Sequence, residues 1–190
     1  MTPEILTEAI KITLQKKKVE WLAALAARDD FSVRDLIDIT FHPDEQIGFR
    51  AAWILENVYT QYGERFLSYA GYFLNRFPAQ ENPSCRRHFS KILALMTGKK
   101  APLPIQQLLS GYPAMDELID TVFSWLIDDT VQVAVKSHCL TVLANLSARY
   151  EWIRDELIAT IDFRMDKESI AFYAKAKQVR KQLRLNARQK

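Results

Sequence analysis

The sequence predicts an all-α fold of helical hairpins stacked side by side, and three observations carry that expectation. Apolar residues recur at steps of three and four along most of the 190 residues, and no alternating run reads as a strand. Only 5 glycines are present, too few for a strand-rich fold joined by tight turns or for a glycine-lined nucleotide loop. One apolar pattern returns three times along the chain. The hydrophobic share of 48% suits a buried core and is too high for a disordered chain.

The elements follow in order. Thr2-Pro3 reads as an N-cap followed by proline at the first helical position, opening a helix to about residue 17. Its expected sticky face is Ile5, Ala9 and Ile12, with Leu6 at its edge. Residues 19–27 continue or restart that helix at the Lys16-Lys17-Lys18 run, and Asp29-Asp30 closes the pair. Ser32 caps a short helix to about residue 41, and His42-Pro43-Asp44 breaks the chain. Pro43 and Asp44 open a long helix to about residue 62, which Gly63 is expected to terminate. Residues 64–77 form an aromatic helix with Phe66, Tyr69 or Ala70, Phe73 and Phe77 at core spacing and Tyr72 and Arg76 outside. Pro83-Ser84 opens a helix to about residue 97. Residues 98–113, broken by Pro102, Pro104, Gly111 and Pro113, read as an insertion with one helical turn. Helices are expected over 114–127, 130–150, 151–162 and from about 167 towards 185.

The repeat lies in the second helices of successive pairs. Ile47, Ala51, Ile54 and Leu55 stand at i, i+4, i+7 and i+8, as do Cys85, Phe89, Ile92 and Leu93, and Val135, Cys139, Val142 and Leu143. That spacing keeps one stripe of a helix buried. The intervals are 38 and 50 residues, the longer one containing the insertion. The run Asp44-x-x-Ile47-x-x-x-Ala51-Ala52-x-Ile54-Leu55 resembles the second helix of a HEAT repeat, with Gly48 where an arginine is usual and Arg86 and Lys136 in the other copies. Leu143–Ser147 resembles the third helix of an armadillo repeat. The resemblance to HEAT/armadillo proteins covers residues 32–162 and implies a right-handed α–α superhelix of about five helical pairs. On that reading the chain is one domain, with a cap pair over 1–31, repeats over 32–162 and a basic cap helix over 163–190.

Beside the buried stripe runs a second one: Arg50, Trp53 and Asn57, then His88, Lys91 and Leu95, then His138, Thr141 and Asn145. In a solenoid, second helices line the concave side, so this stripe is the candidate partner-binding groove. Trp53-x-x-x-Asn57 is similar to the arrangement with which armadillo proteins hold extended peptides, which implies an asparagine amide on the peptide backbone and a tryptophan wall. The structural alternative packs Trp53 against a neighbouring repeat and has Asn57 and Asn145 bond local helix carbonyls. The second candidate is a basic patch of Lys175, Lys177, Arg180, Lys181, Arg184 and Arg188, on a helix that docks through Phe172, Ala176, Val179 and Leu183. It suits nucleic acid, anionic membrane or an acidic protein; its bland reading is a solvated cap with charge suited to a helix C-terminus.

Composition narrows the function. Residues 164–190 carry nine basic and two acidic side chains, net +7, which leaves 17 basic and 21 acidic over 1–163, net −4. A slightly negative body is poorly built to track a phosphate backbone. DNA alkylation repeat glycosylases show that helical repeats can carry an enzyme, but their basic concave face and signature residues are missing. No Gly-x-Ser-x-Gly, Walker loop or His-x-x-x-His pair occurs, so no catalytic residue, metal or cofactor is expected. Cys85 and Cys139 lie in apolar patterns and read as buried thiols. The charged N-terminus shows no secretory segment, and no apolar run is long enough to span a membrane. The expectation is a non-catalytic, cytoplasmic scaffold for an unidentified protein or peptide, with nucleic-acid binding as the alternative.

Overall fold

The computed structural model describes residues 2–12, 15–28 and 30–188, with side chains as far as Arg184. Among them are twelve α-helices and one 3-10 turn, and no strand. In chain order the helices are α1 (Pro3–Lys11), α2 (Lys16–Ala27), α3 (Val33–Ile39), α4 (Glu45–Gln61), α5 (Gly63–Leu67) and α6 (Ala70–Arg76). After the 3-10 turn Phe77–Ala79 come α7 (Pro83–Met96), α8 (Leu103–Ser110), α9 (Met115–Ile127), α10 (Val133–Leu146), α11 (Glu151–Arg164) and α12 (Ile170–Arg188). They gather into two compact units, Met1–Ile92 with Ser110–Tyr112, and Leu93–Leu109 with Pro113–Lys190.

Side-chain caps fix several starts. Thr2 Oγ1 accepts from the Ile5 N–H, Ser32 Oγ from Arg34 and Asp35, and Asp44 Oδ1 from Gln46 and Ile47. Several details differ from expectation, among them the insertion, which holds the eight-residue α8 and not a single turn. The first helix ends at Lys11, because Ile12 is extended, and its buried residues are Leu6 and Ile10, while Ile5 faces water. Asp29, expected to close that first pair, lies outside the described residues. Gly63 does not end α4. Tyr62, at φ −132° and ψ 45°, turns the chain, and Gly63 is the first residue of α5. The aromatic segment is two helices parted at Ser68 and Tyr69, and Ala70 takes the core place rather than Tyr69. Tyr72 and Arg76 are half-buried, Arg76 lying over the Phe41 ring at 4.0 Å.

In the first unit α4 packs against α1, α2, α3 and α5. Phe66, Phe73, Phe77 and Phe89 are all fully buried, and their rings meet at 4.8 to 6.1 Å in edge-on and tilted pairs. Gly48 has a physical reason for being glycine: a Cβ there would stand 2.9 Å from the backbone oxygen of Thr40. That carbonyl ends α3 in the core, where Gln80 and the Cys85 thiol reach it. Gly48→Ala should cost about 1–3 kcal/mol, read as a lower urea midpoint. A cost near zero would show that α3 and α4 part easily. The Cys85 thiol is pushed up to about 12 by burial, with the Glu45 charge adding to it, so it resists ionisation.

In the second unit α10 packs against α9, α11 and α12 and is buried on most sides. Its Lys136 is 2% exposed, and Nζ donates to Glu168 Oε1 at 2.6 Å. Arg164, 3% exposed, also donates to Glu168, to Asp129 Oδ1 at 2.6 Å and to the Ile127 carbonyl at 3.0 Å. Two buried cations thus converge on one acid in the turn before α12. The repeat stripe closes as expected: Ile47, Ala51, Ile54, Leu55, Cys85, Phe89, Ile92, Leu93, Val135, Cys139, Val142 and Leu143 are each no more than 3% exposed. Both cysteines are buried and are not joined in a disulfide.

Candidate interaction surface

Three of the predicted stripe residues come from about two turns of α4. Arg50 is half-buried and donates through Nη1 to the Ile10 carbonyl at 3.1 Å and to that of Lys11. A guanidinium there satisfies the carbonyls ending α1 and complements that helix's negative end. Trp53 stacks on Phe49, one turn earlier, with centroids 6.2 Å apart and planes 25° from parallel. Phe49 in turn lies 5.5 Å from the His88 ring. Asn57 Nδ2 donates to the Trp53 carbonyl at 2.9 Å, and Gln61 donates to Asn57 Oδ1 at 3.1 Å. Both ends of that amide therefore bond within α4.

His88 and Lys91 enter from α7 and meet a residue the sequence reading did not single out, Glu56. The imidazole Nδ1 lies 2.7 Å from Glu56 Oε2, and Lys91 Nζ lies 2.5 Å from Oε1. An ionised carboxylate only accepts, so Nδ1 carries the proton. Burial pushes the Glu56 carboxyl up, but the hydrogen bonds and charges of His88 and Lys91 outweigh it, and the group sits below its ordinary range. A signal for Glu56 did exist in the sequence. The corresponding residues of the other copies are Ala94 and Ala144, both buried, so a carboxylate at this position needs partners. What remains available on this part of the first unit is a half-buried tryptophan edge and an ammonium that is partly in water.

In the second unit, His138 and Thr141 are half-buried, and Thr141 Oγ1 donates to the Ser137 carbonyl at 3.0 Å. Asn145 Nδ2 donates to the Ala94 carbonyl at 3.4 Å and to Thr97 Oγ1 at 3.3 Å, while its Oδ1 accepts from Gln182 at 3.0 Å. The amide ties α10 and α12 to the end of α7. Beside it opens a depression of about 240 Å³ bounded by Met96, Thr97, Leu109, Leu146 and Gln182. It has room for one side chain of a partner.

The six basic residues of α12 do not form one patch. Arg180 pairs with Asp162, and Lys175 is half-buried, its ammonium held below its ordinary value by burial. Lys177, Lys181 and Arg184 are exposed, and the Arg188 side chain lies outside the described residues. No group of three or more His, Cys, Asp or Glu side chains converges as a metal site among the described residues.

Helices that pack on their chain neighbours around a repeated apolar stripe define the class: an all-α helical-repeat protein. Residues 6–183 match the HEAT repeat domain, and the chain belongs to that family. No curated protein matches it. A solved structure of an engineered protein superposes with a TM-score of 0.46 at 12% identity, covering 98% of each chain. No helix among the described residues is long and apolar enough to cross a membrane.

Proposed function

We propose that the protein is a non-catalytic scaffold that binds another protein or a peptide through side chains on the second helices of its repeats. Membership of the HEAT repeat family carries this reading, because such arrays commonly serve protein interaction. In the first unit the contact residues are Trp53 and Lys91, with Asn57 at the edge; Arg50 and His88 hold them in place. In the second unit Asn145 borders the depression, and His138 and Thr141 lie along the same helix. The setting is a reducing, cytoplasmic one in which Cys85 and Cys139 stay thiols. The alternative, a nucleic-acid module, would engage phosphate through the exposed cations of α12.

Cross-linked capture from native lysate, with and without nuclease, tests both readings. A protein partner retained after nuclease at moderate salt, and lost with Trp53→Ala and Asn57→Ala, is the expected result. Capture that both substitutions leave unchanged removes the α4 surface from the proposal. Capture abolished by nuclease or by high salt favours the alternative.

A further inference from the structure

Helix α12 buries Phe172, Ala176, Val179 and Leu183 and turns its opposite side to water. Along that side Ile170 and Tyr173, 88% and 52% exposed, are followed by Lys177, Lys181 and Arg184. The steps are three and four residues, so the five form a single row. With a rise of about 1.5 Å per residue, the three cations stand about 6 and 4.5 Å apart along the axis. No acid among the described residues pairs with them, whereas Arg180, at the edge of the row, is held by Asp162.

We propose that this row docks an acidic amphipathic helix of a partner protein. The spacing selects that partner. A second helix laid alongside, with carboxylates at the same steps of four and three, meets each cation in turn, and apolar residues at one of its ends meet Tyr173 and Ile170. A phosphate backbone winds around its duplex and leaves a straight row after a few contacts. A lipid surface needs apolar side chains along the whole row, and here they stand only at one end. Exposed ion pairs are individually weak, so the register of several pairs and the apolar end supply the affinity together. The inference rests on the scaffold reading only in taking the partner to be a protein; the surface is separate from that on α4 and fails or stands separately.

Fluorescence anisotropy on the full chain tests it with four probes. They are a synthetic helix carrying three Glu at steps of four and three and Leu at one end, the same composition with its spacing scrambled, an oligothymidylate, and phosphatidylserine-containing vesicles. The in-register helix should bind about tenfold tighter than the scrambled one. Lys177→Glu together with Lys181→Glu should remove that advantage without shifting the melting temperature, while Arg180→Gln leaves it unchanged. A probe with Lys only at the two positions facing residues 177 and 181 should bind the doubly substituted chain. Equal binding of the two peptides, tighter binding of the oligonucleotide or vesicles, or a double substitution without effect would overturn the proposal. So would a dimer of this chain that the same substitutions dissolve.

Discussion

Leu143→Ala should lower the free energy of unfolding by about 2–5 kcal/mol. Leu143 is fully buried on α10, the helix against which α9, α11 and α12 all pack. Removing its isobutyl group opens a cavity in a close-packed interior that collapses only in part. Urea unfolding followed by tryptophan fluorescence reads the loss. Leu95 is the internal control, since it occupies the outer stripe and is 42% exposed; Leu95→Ala should stay within about 1 kcal/mol. Similar losses at the two positions would mean that the repeat register does not set the core.

Glu168→Ala should cost about 3–5 kcal/mol, because it leaves Lys136 without its carboxylate and Arg164 with the exposed Asp129 as its one acid. The same residue sets a pH dependence. Burial pushes the Glu168 carboxyl up, but hydrogen bonds from Lys136 and Arg164, with their charges, hold it below its ordinary value of 4.5. A carboxyl lower in the folded than in the unfolded state contributes its stability above pH 4.5 and loses it as pH falls through the folded value. The gap in urea midpoint between the wild type and Glu168→Gln should therefore be constant near neutrality and close below pH 4.5. A gap that stays open at low pH would show that the acid's charge is not what docks the last pair.

The apolar register was legible in the sequence because each buried position recurs in three helices, so one copy checks another. The caps at Thr2, Ser32 and Asp44 were legible because each short oxygen acceptor stands directly before an apolar run. The face of α1 was not. Ile5 and Leu6 are equally apolar, and only the packing of α1 on α3 and α4 decides that Leu6 turns inward. Gly63 was misread because glycine signals freedom of the backbone, not the direction in which it is used. The charged clusters were hidden for a different reason. Glu56 lies 32 residues from His88, and Lys136 lies 32 from Glu168. In one sequence a lysine that will be buried looks the same as one that will stay in water, until the fold supplies its acid.

The bond from Arg50 to the end of α1 has a consequence for how the chain is made. A helix of 9 residues does not hold together alone in water, so α1 has little shape of its own when it leaves the ribosome. The guanidinium that fastens it arrives 39 and 40 residues later, on a helix that also packs on α2 and α3. Helix α1 is therefore completed late. Backbone amides of residues 5–11 should exchange with deuterium well before those of α4, as a flap that opens while the rest stays shut.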